Sequence, residues 1–119
     1  MLAVWEPILP TDWQRPTSLV LSRIPDARVA QYWDKEHLVS ADLEQQLSRS
    51  GIALNPHCCE QGGFLWDVAG LYPAQIKWAN SHPLFIGGPV VNAEAGLCGA
   101  LRNLLQIPAI ASNPLCKPQ

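Results

Sequence analysis

The chain has 119 residues, 48% of them hydrophobic and only 15% charged, with a formal net charge of −2 and a pI near 5.8. That length fits one domain with enough material for a core, and the scattered Lys and Arg argue against nucleic acid, whose binders carry a basic stripe. No apolar run reaches the ~18 residues needed to span a bilayer, and the N-terminus lacks the pattern of an export signal, so a soluble cytoplasmic protein is predicted.

Leu2 to Glu6 is nearly all apolar, as in a strand covered on both faces. Pro7 has no ladder donor and interrupts it. Thr11 and Asp12 hold a turn through their own backbone. Thr17 is placed to cap a short helix over Ser18 to Arg23, which ends before Pro25. Arg28 to Trp33 reads as a short extended piece with rough alternation.

Asp34 then caps a helix over Lys35 to Ser50. Val39, Leu43 and Leu47, with Leu38 beside them, give it one apolar stripe, and Gly51 is its natural stop. Residues 55–63 form a loop. Phe64 to Tyr72 is an apolar run of strand length, and Tyr72 to Gln75 turns into Ile76-Lys77-Trp78, whose alternation suits the edge strand of a hairpin. Asn80 to Pro89 is loop, with Leu84-Phe85-Ile86 as an apolar anchor. Asn92 caps a last helix over Ala93 to Gln106, with Leu97, Leu101, Leu104 and Leu105 as its buried stripe. Gly96, Gly99 and Ala100 let that helix approach a neighbour closely. Residues 109–119 are predicted to be an extended or disordered tail. The reading is a single α/β domain over residues 1–108, in the order β-α-(β)-α-β-β-α.

Three stretches, taken together in order and spacing, carry a resemblance. Val4-Trp5-Glu6-Pro7-Ile8-Leu9-Pro10, Arg28-Val29-Ala30-Gln31-Tyr32-Trp33-Asp34, and Leu65-Trp66-Asp67-Val68-Ala69 with Tyr72-Pro73 resemble a group of bacterial thioredoxin-like proteins over residues 2–79. The resemblance implies a thioredoxin-like mixed sheet that is incomplete at the N-terminus. In that family a β-α unit bearing a redox Cys-x-x-Cys precedes the Trp5 strand. None of the four cysteines here has that spacing, so no redox residue carries over. The family's cis-proline has no counterpart either, and Gly62-Gly63 stands at its place. The absent strand would lie between the counterparts of the Trp5 strand and the Phe64 to Tyr72 strand. Its loss exposes an apolar edge on each, and bare edges invite pairing. The two strands can close up, the Arg28 to Trp33 segment can move in, or a second copy can supply the neighbour. The low charge content favours the last, so a homodimer is predicted.

Candidate chemistry is sparse. His57-Cys58-Cys59 places two soft thiols and an imidazole on one loop, a set that suits zinc, copper(I) or another soft metal. A tetrahedral site needs a fourth ligand, from Cys98, Cys116 or His37. The commoner meaning of such a trio is a loop with one buried and one exposed cysteine. Without an export signal the four thiols are expected to be reduced. None sits where a helix N-terminus would lower its pKa for exchange. Asp67, inside an apolar strand, is expected to be partly buried with a raised pKa. Asp12 is read as a turn holder and His37 as a residue in the first turn of an exposed helix.

Five tryptophans in or beside strands read first as core and interface, with Trp13 and Trp78 the two most exposed. The function predicted is therefore a non-catalytic domain acting through self-association or a protein partner. Val4, Trp5, Trp13 and Trp78 are its interface or pocket candidates, and no catalytic residue is assigned. The alternative is a thiol-based metal-binding protein using His57, Cys58 and Cys59.

Overall fold

The computed structural model describes residues 1–54, 59–61, 63–78 and 81–106. Strand β1 (Leu2–Trp5) pairs in parallel with β2 (Ala30–Trp33), Leu2 lying opposite Ala30 and Trp5 opposite Trp33. The Arg28 to Trp33 segment thus pairs with the first strand, but among the described residues it does not bridge to the Phe64 to Tyr72 stretch as the expected gap-filling arrangement requires. The crossover between them is held by short-range polar bonds. Asp12 N–H donates to the Leu9 carbonyl at 2.9 Å, and its Oδ2 accepts from Leu9 N–H at 3.2 Å. Helix α1 (Ser18–Leu21) is capped by Thr17 Oγ1, which accepts from Val20 N–H at 3.4 Å. Gln31 fastens the crossover to the ribbon. Its Nε2 donates to the carbonyls of Leu21 and Ile24, while its Oε1 accepts from Trp5 Nε1 at 3.0 Å.

Helix α2 (Leu38–Ser50) begins three residues later than the sequence suggests. His37, not Asp34, occupies the cap position, although Asp34 Oδ2 still accepts from Val39 N–H at 2.7 Å across the turn. Lys35 to His37 form a turn beneath that bond. Gly51 ends the helix in the left-handed region at φ 67°, where the lack of a Cβ removes the strain. Antiparallel β3 (Glu60–Gln61) and β4 (Phe64–Leu65) follow, then β5 (Ala69–Leu71), antiparallel to β6 (Phe85–Gly87), and α3 (Val90–Leu105).

The second half of the chain corrects the sequence reading in three places. The single strand over Phe64 to Tyr72 is broken into β4 and β5, because Asp67 adopts φ 52° between them. Ile76 to Trp78 is not the hairpin partner; β5 pairs with Phe85–Gly87, taken from the expected loop. Helix α3 starts at Val90, with Pro89 at its cap position. Among the described residues the strands form three separate pairs rather than one mixed sheet. The result is a small mixed α/β domain with three helices, none long and apolar enough to cross a membrane among the described residues.

The core is compact but thin. Leu43 and Leu47 on α2 bury against Leu65 of β4, with Ile52, Leu54, Val68 and Ile86 packed around them. Leu38 is exposed, because the late helix start leaves it off the buried face. Helix α3 packs on β5 and β6. Its close approach depends on Gly96, where a Cβ would stand 2.5 Å from the Phe85 ring. Ala93 is its one fully buried residue, and Leu104 and Leu105 are exposed rather than part of a buried stripe. The expected tail at 109–119 lies outside the described residues.

Candidate functional site

Glu6 and Asp34 directly follow β1 and Trp33 of β2, so both leave the same end of a parallel pair. In α/β folds that carboxyl end is where ligands gather. Because Asp34 reaches Val39 across a turn, the turn it holds forces His37 to φ 56°, a region non-glycine residues seldom occupy. The strained residue turns its ring inward. His37 Nδ1 lies 3.1 Å from Glu6 Oε2, with the side chains 14% and 11% exposed respectively. The ring stacks on Phe64 with centroids 3.9 Å apart and planes 15° from parallel.

Ser40 joins the parts. Its Oγ accepts from Leu65 N–H at 3.0 Å, which ties α2 to β4. Burial raises the Glu6 pKa above its ordinary value; the His37 hydrogen bond opposes that shift and the Asp34 charge adds to it. An ionised Glu6 accepts from Nδ1–H, which leaves the neutral ring's lone pair on Nε2. Nε2 has no hydrogen-bond partner among the described residues. The one buried polar side-chain atom without a partner there is Arg102 Nε, so Nε2 meets solvent. The arrangement can therefore accept a proton or hold a donor group at Nε2. His37 is not the exposed first-turn residue expected of it.

The interface candidates fall in two places. Val4 and Trp5 are half-buried in β1, in a ribbon with no fully buried residue in either strand. Leu2 is 54% and Tyr32 59% exposed. Trp13 stands out from the crossover at 77% exposure. Trp78 belongs elsewhere, its ring 5.1 Å from that of Tyr72. No ring contact joins Trp13 to Trp78 among the described residues.

Of the proposed thiol site, His57 and Cys58 lie outside the described residues, as does Cys116. Cys59 and Cys98 are each disulfide-bonded, which corrects the expectation of reduced thiols. Cys59 is 5% exposed and rests against Gly88, where any Cβ would collide with Sγ and come within 2.7 Å of the Asp67 carbonyl oxygen. A half-cystine offers no thiolate to a metal. Among the described residues no group of three or more His, Cys, Asp or Glu is placed to hold a metal ion. Asp67 is exposed in its turn rather than buried in a strand, and Asp12 holds its turn as expected.

No family model, curated protein or solved structure matches the chain.

The Glu6–His37 pair is what residue patterns missed. Its members are 31 positions apart in sequence, so no motif spacing could join them. The available signal was Glu6 and Asp34, each an acid at the close of an apolar extended stretch.

Proposed function

We propose that this is a non-catalytic α/β module that acts by taking a protein strand against its β1–β2 ribbon, with a second copy as the simplest partner. The ribbon's incomplete burial carries this reading. Parallel strands are ordinarily covered on both faces, and two strands alone are marginal in water. Here neither β1 nor β2 contains a fully buried residue, and the edge Leu2-Ala3-Val4-Trp5 has no charge or proline to discourage pairing. Sedimentation equilibrium of the full chain at micromolar concentration is expected to show a dimer, weakened by Leu2→Lys. A monomer at every concentration would remove self-association.

The thioredoxin-like arrangement is part of this proposal. Its support is the order of parts, a parallel pair first and then an antiparallel pair backed by a closing helix. It requires the strand pairs to join into one mixed sheet, which the three separate pairs here do not do, and an experimental structure that keeps them separate would end it.

For the compartment, the disulfide bonding of Cys59 and Cys98 favours an oxidising one over the cytoplasmic setting expected from sequence. Alkylation of protein trapped from its native cells, without reduction, tests this by counting modified cysteines. The metal-binding alternative needs Cys59 reduced, so stoichiometric zinc in protein purified without reductant would revive it. A second reading, acid–base or ligand chemistry at His37 Nε2, is favoured by the Glu6 contact. His37→Asn without effect on any bound or converted compound would end it.

A further inference from the structure

We propose that the Glu6–His37 contact is a pH-sensitive seam between the β1–β2 ribbon and the α2–β4 part of the fold, tight in mild acid, where the imidazole is charged, and looser above neutral pH. The core explains why one polar contact matters here. Among the described residues Leu43, Leu47 and Leu65, with Ile52, Leu54, Val68 and Ile86 around them, draw no side chain from residues 1–42. The ribbon therefore has no part in that core, and neither of its strands has a fully buried residue. Asp34 is its covalent hinge to α2, donating N–H to the Trp5 carbonyl at 2.9 Å while Oδ2 accepts from Val39 N–H at 2.7 Å. Beside that hinge, Glu6 Oε2 lies 3.1 Å from His37 Nδ1, and the His37 ring rests on Phe64 with centroids 3.9 Å apart. The seam thus runs from the end of β1 through one imidazole to β4.

Charge balance at the seam sets the direction. The ionisable groups about the ring are Glu6 beyond β1, Asp34 beyond β2, and Lys35 and Glu36 in its own turn, the last two exposed. Strand β4 presents the uncharged Phe64, and α2 opens with Leu38, Val39 and Ser40, none of them ionisable. Histidine ordinarily changes charge between about pH 5 and 8. A protonated ring sets one cation beside two half-buried carboxylates and over an aromatic face, and both contacts favour it. Once that proton leaves, Glu6 and Asp34 remain as like charges, and the ring offers Glu6 only a neutral, weaker bond. Burial already resists ionisation of Glu6; the His37 bond opposes that resistance and the Asp34 charge adds to it. His37 also holds a left-handed backbone at φ 56°, a strain that opening the seam relieves. Because two strands alone are marginal in water, a ribbon released there loses part of its own pairing.

Amide exchange followed by NMR on the full chain at about pH 5.5 and about pH 7.5, corrected for intrinsic rates, tests this. The Ala30 and Asp34 amides, bonded to the Met1 and Trp5 carbonyls at 3.0 and 2.9 Å, report the ribbon. The amide of Leu47, within α2, reports the core. From the lower to the higher pH the ribbon amides are expected to lose protection by about three- to tenfold relative to Leu47. His37→Asn tolerates the left-handed backbone but does not titrate, so it is expected to abolish that difference and leave the ribbon weakly protected at both values. Glu6→Gln, which keeps an acceptor for the ring without its charge, is expected to abolish it too, so the test stands even if one variant does not fold. His82→Gln, a change at an exposed histidine away from the seam, is expected to preserve it. Unchanged ribbon protection, or an equal loss at Leu47, overturns the proposal. So does a response that survives in His37→Asn or Glu6→Gln, or one that disappears in His82→Gln, since the titrating group would then lie elsewhere.

Discussion

Replacing Ser40 by alanine probes the joint between α2 and β4. Ser40 is 3% exposed, and its Oγ accepts the Leu65 N–H at 3.0 Å. Alanine removes that acceptor and leaves a buried amide unpaired, which costs about 1–3 kcal/mol. With an unfolding entropy of about 2.1 cal/mol/K per residue, a chain of 119 residues changes stability by roughly 0.25 kcal/mol per degree near its midpoint. The melting temperature is therefore expected to fall by about 4–12 °C. Because Phe64 adjoins Leu65 and stacks on His37, the His37 ring resonances should shift as β4 loosens. Calorimetry with Ser48→Ala, an exposed change on the same helix, supplies the control. A fall of less than about 1 °C with unmoved His37 resonances would refute the reasoning.

The two glycines of α3 should respond in opposite directions. At Gly96 a Cβ stands 2.5 Å from the Phe85 ring, so alanine is expected to cost about 1–3 kcal/mol of overpacking, more than its helix propensity returns. At Gly99 nothing lies within 4 Å, and alanine should add about 0.5–1 kcal/mol. Urea midpoints moving the same way for both would contradict this. Glu6 has a folded pKa above its ordinary 4.5, so its contribution to stability is fully present below that pH and is lost as pH rises through the folded value. Unfolding free energies measured from pH 4 upward should show wild type losing ground to Glu6→Gln, and an opposite trend would reverse the sign. Burial first, and the Asp42 charge second, push the Tyr72 hydroxyl up to about 12. A spectrophotometric titration should show a late phase that Tyr72→Phe abolishes. Stability linked to this group is held below its ordinary 10 and lost as pH rises through about 12. The same variant gives up the 3.0 Å bond to Gln46 Oε1, worth about 0.5–1.5 kcal/mol.

Where local pattern and tertiary demand agree, the chain is readable. Leu43 and Leu47 recur at helical spacing and are buried; Thr17 caps α1; Gly51 ends α2. Where one residue overrides its neighbours, pattern misleads. Asp67 breaks an otherwise continuous apolar run because its backbone turns left-handed, a choice that short polar side chains tolerate and periodicity cannot register. Strand β6 was hidden because Phe85-Ile86-Gly87 sits among prolines and glycines, and its pairing with Ala69–Leu71 is long-range. The Glu6–His37 pair is long-range too. The oxidised cysteines were missed for another reason. Thiol state was inferred from the absence of an export signal, not from where the fold places Cys59 and Cys98.

The parallel ribbon also bears on the order of folding. Antiparallel β3 and β4 are neighbours in sequence, whereas β1 meets β2 only after residues 6–29 have crossed over. Closing that long connection precedes any reward from pairing, and such contacts form slowly. The ribbon is therefore expected to assemble after α2 and β4 have met. Val4→Ala should then speed unfolding far more than it slows refolding in stopped-flow measurements, and the reverse would place the ribbon in the nucleus. Until that late closure an apolar strand waits unpaired, so the interval before it is when the nascent chain is most prone to aggregate.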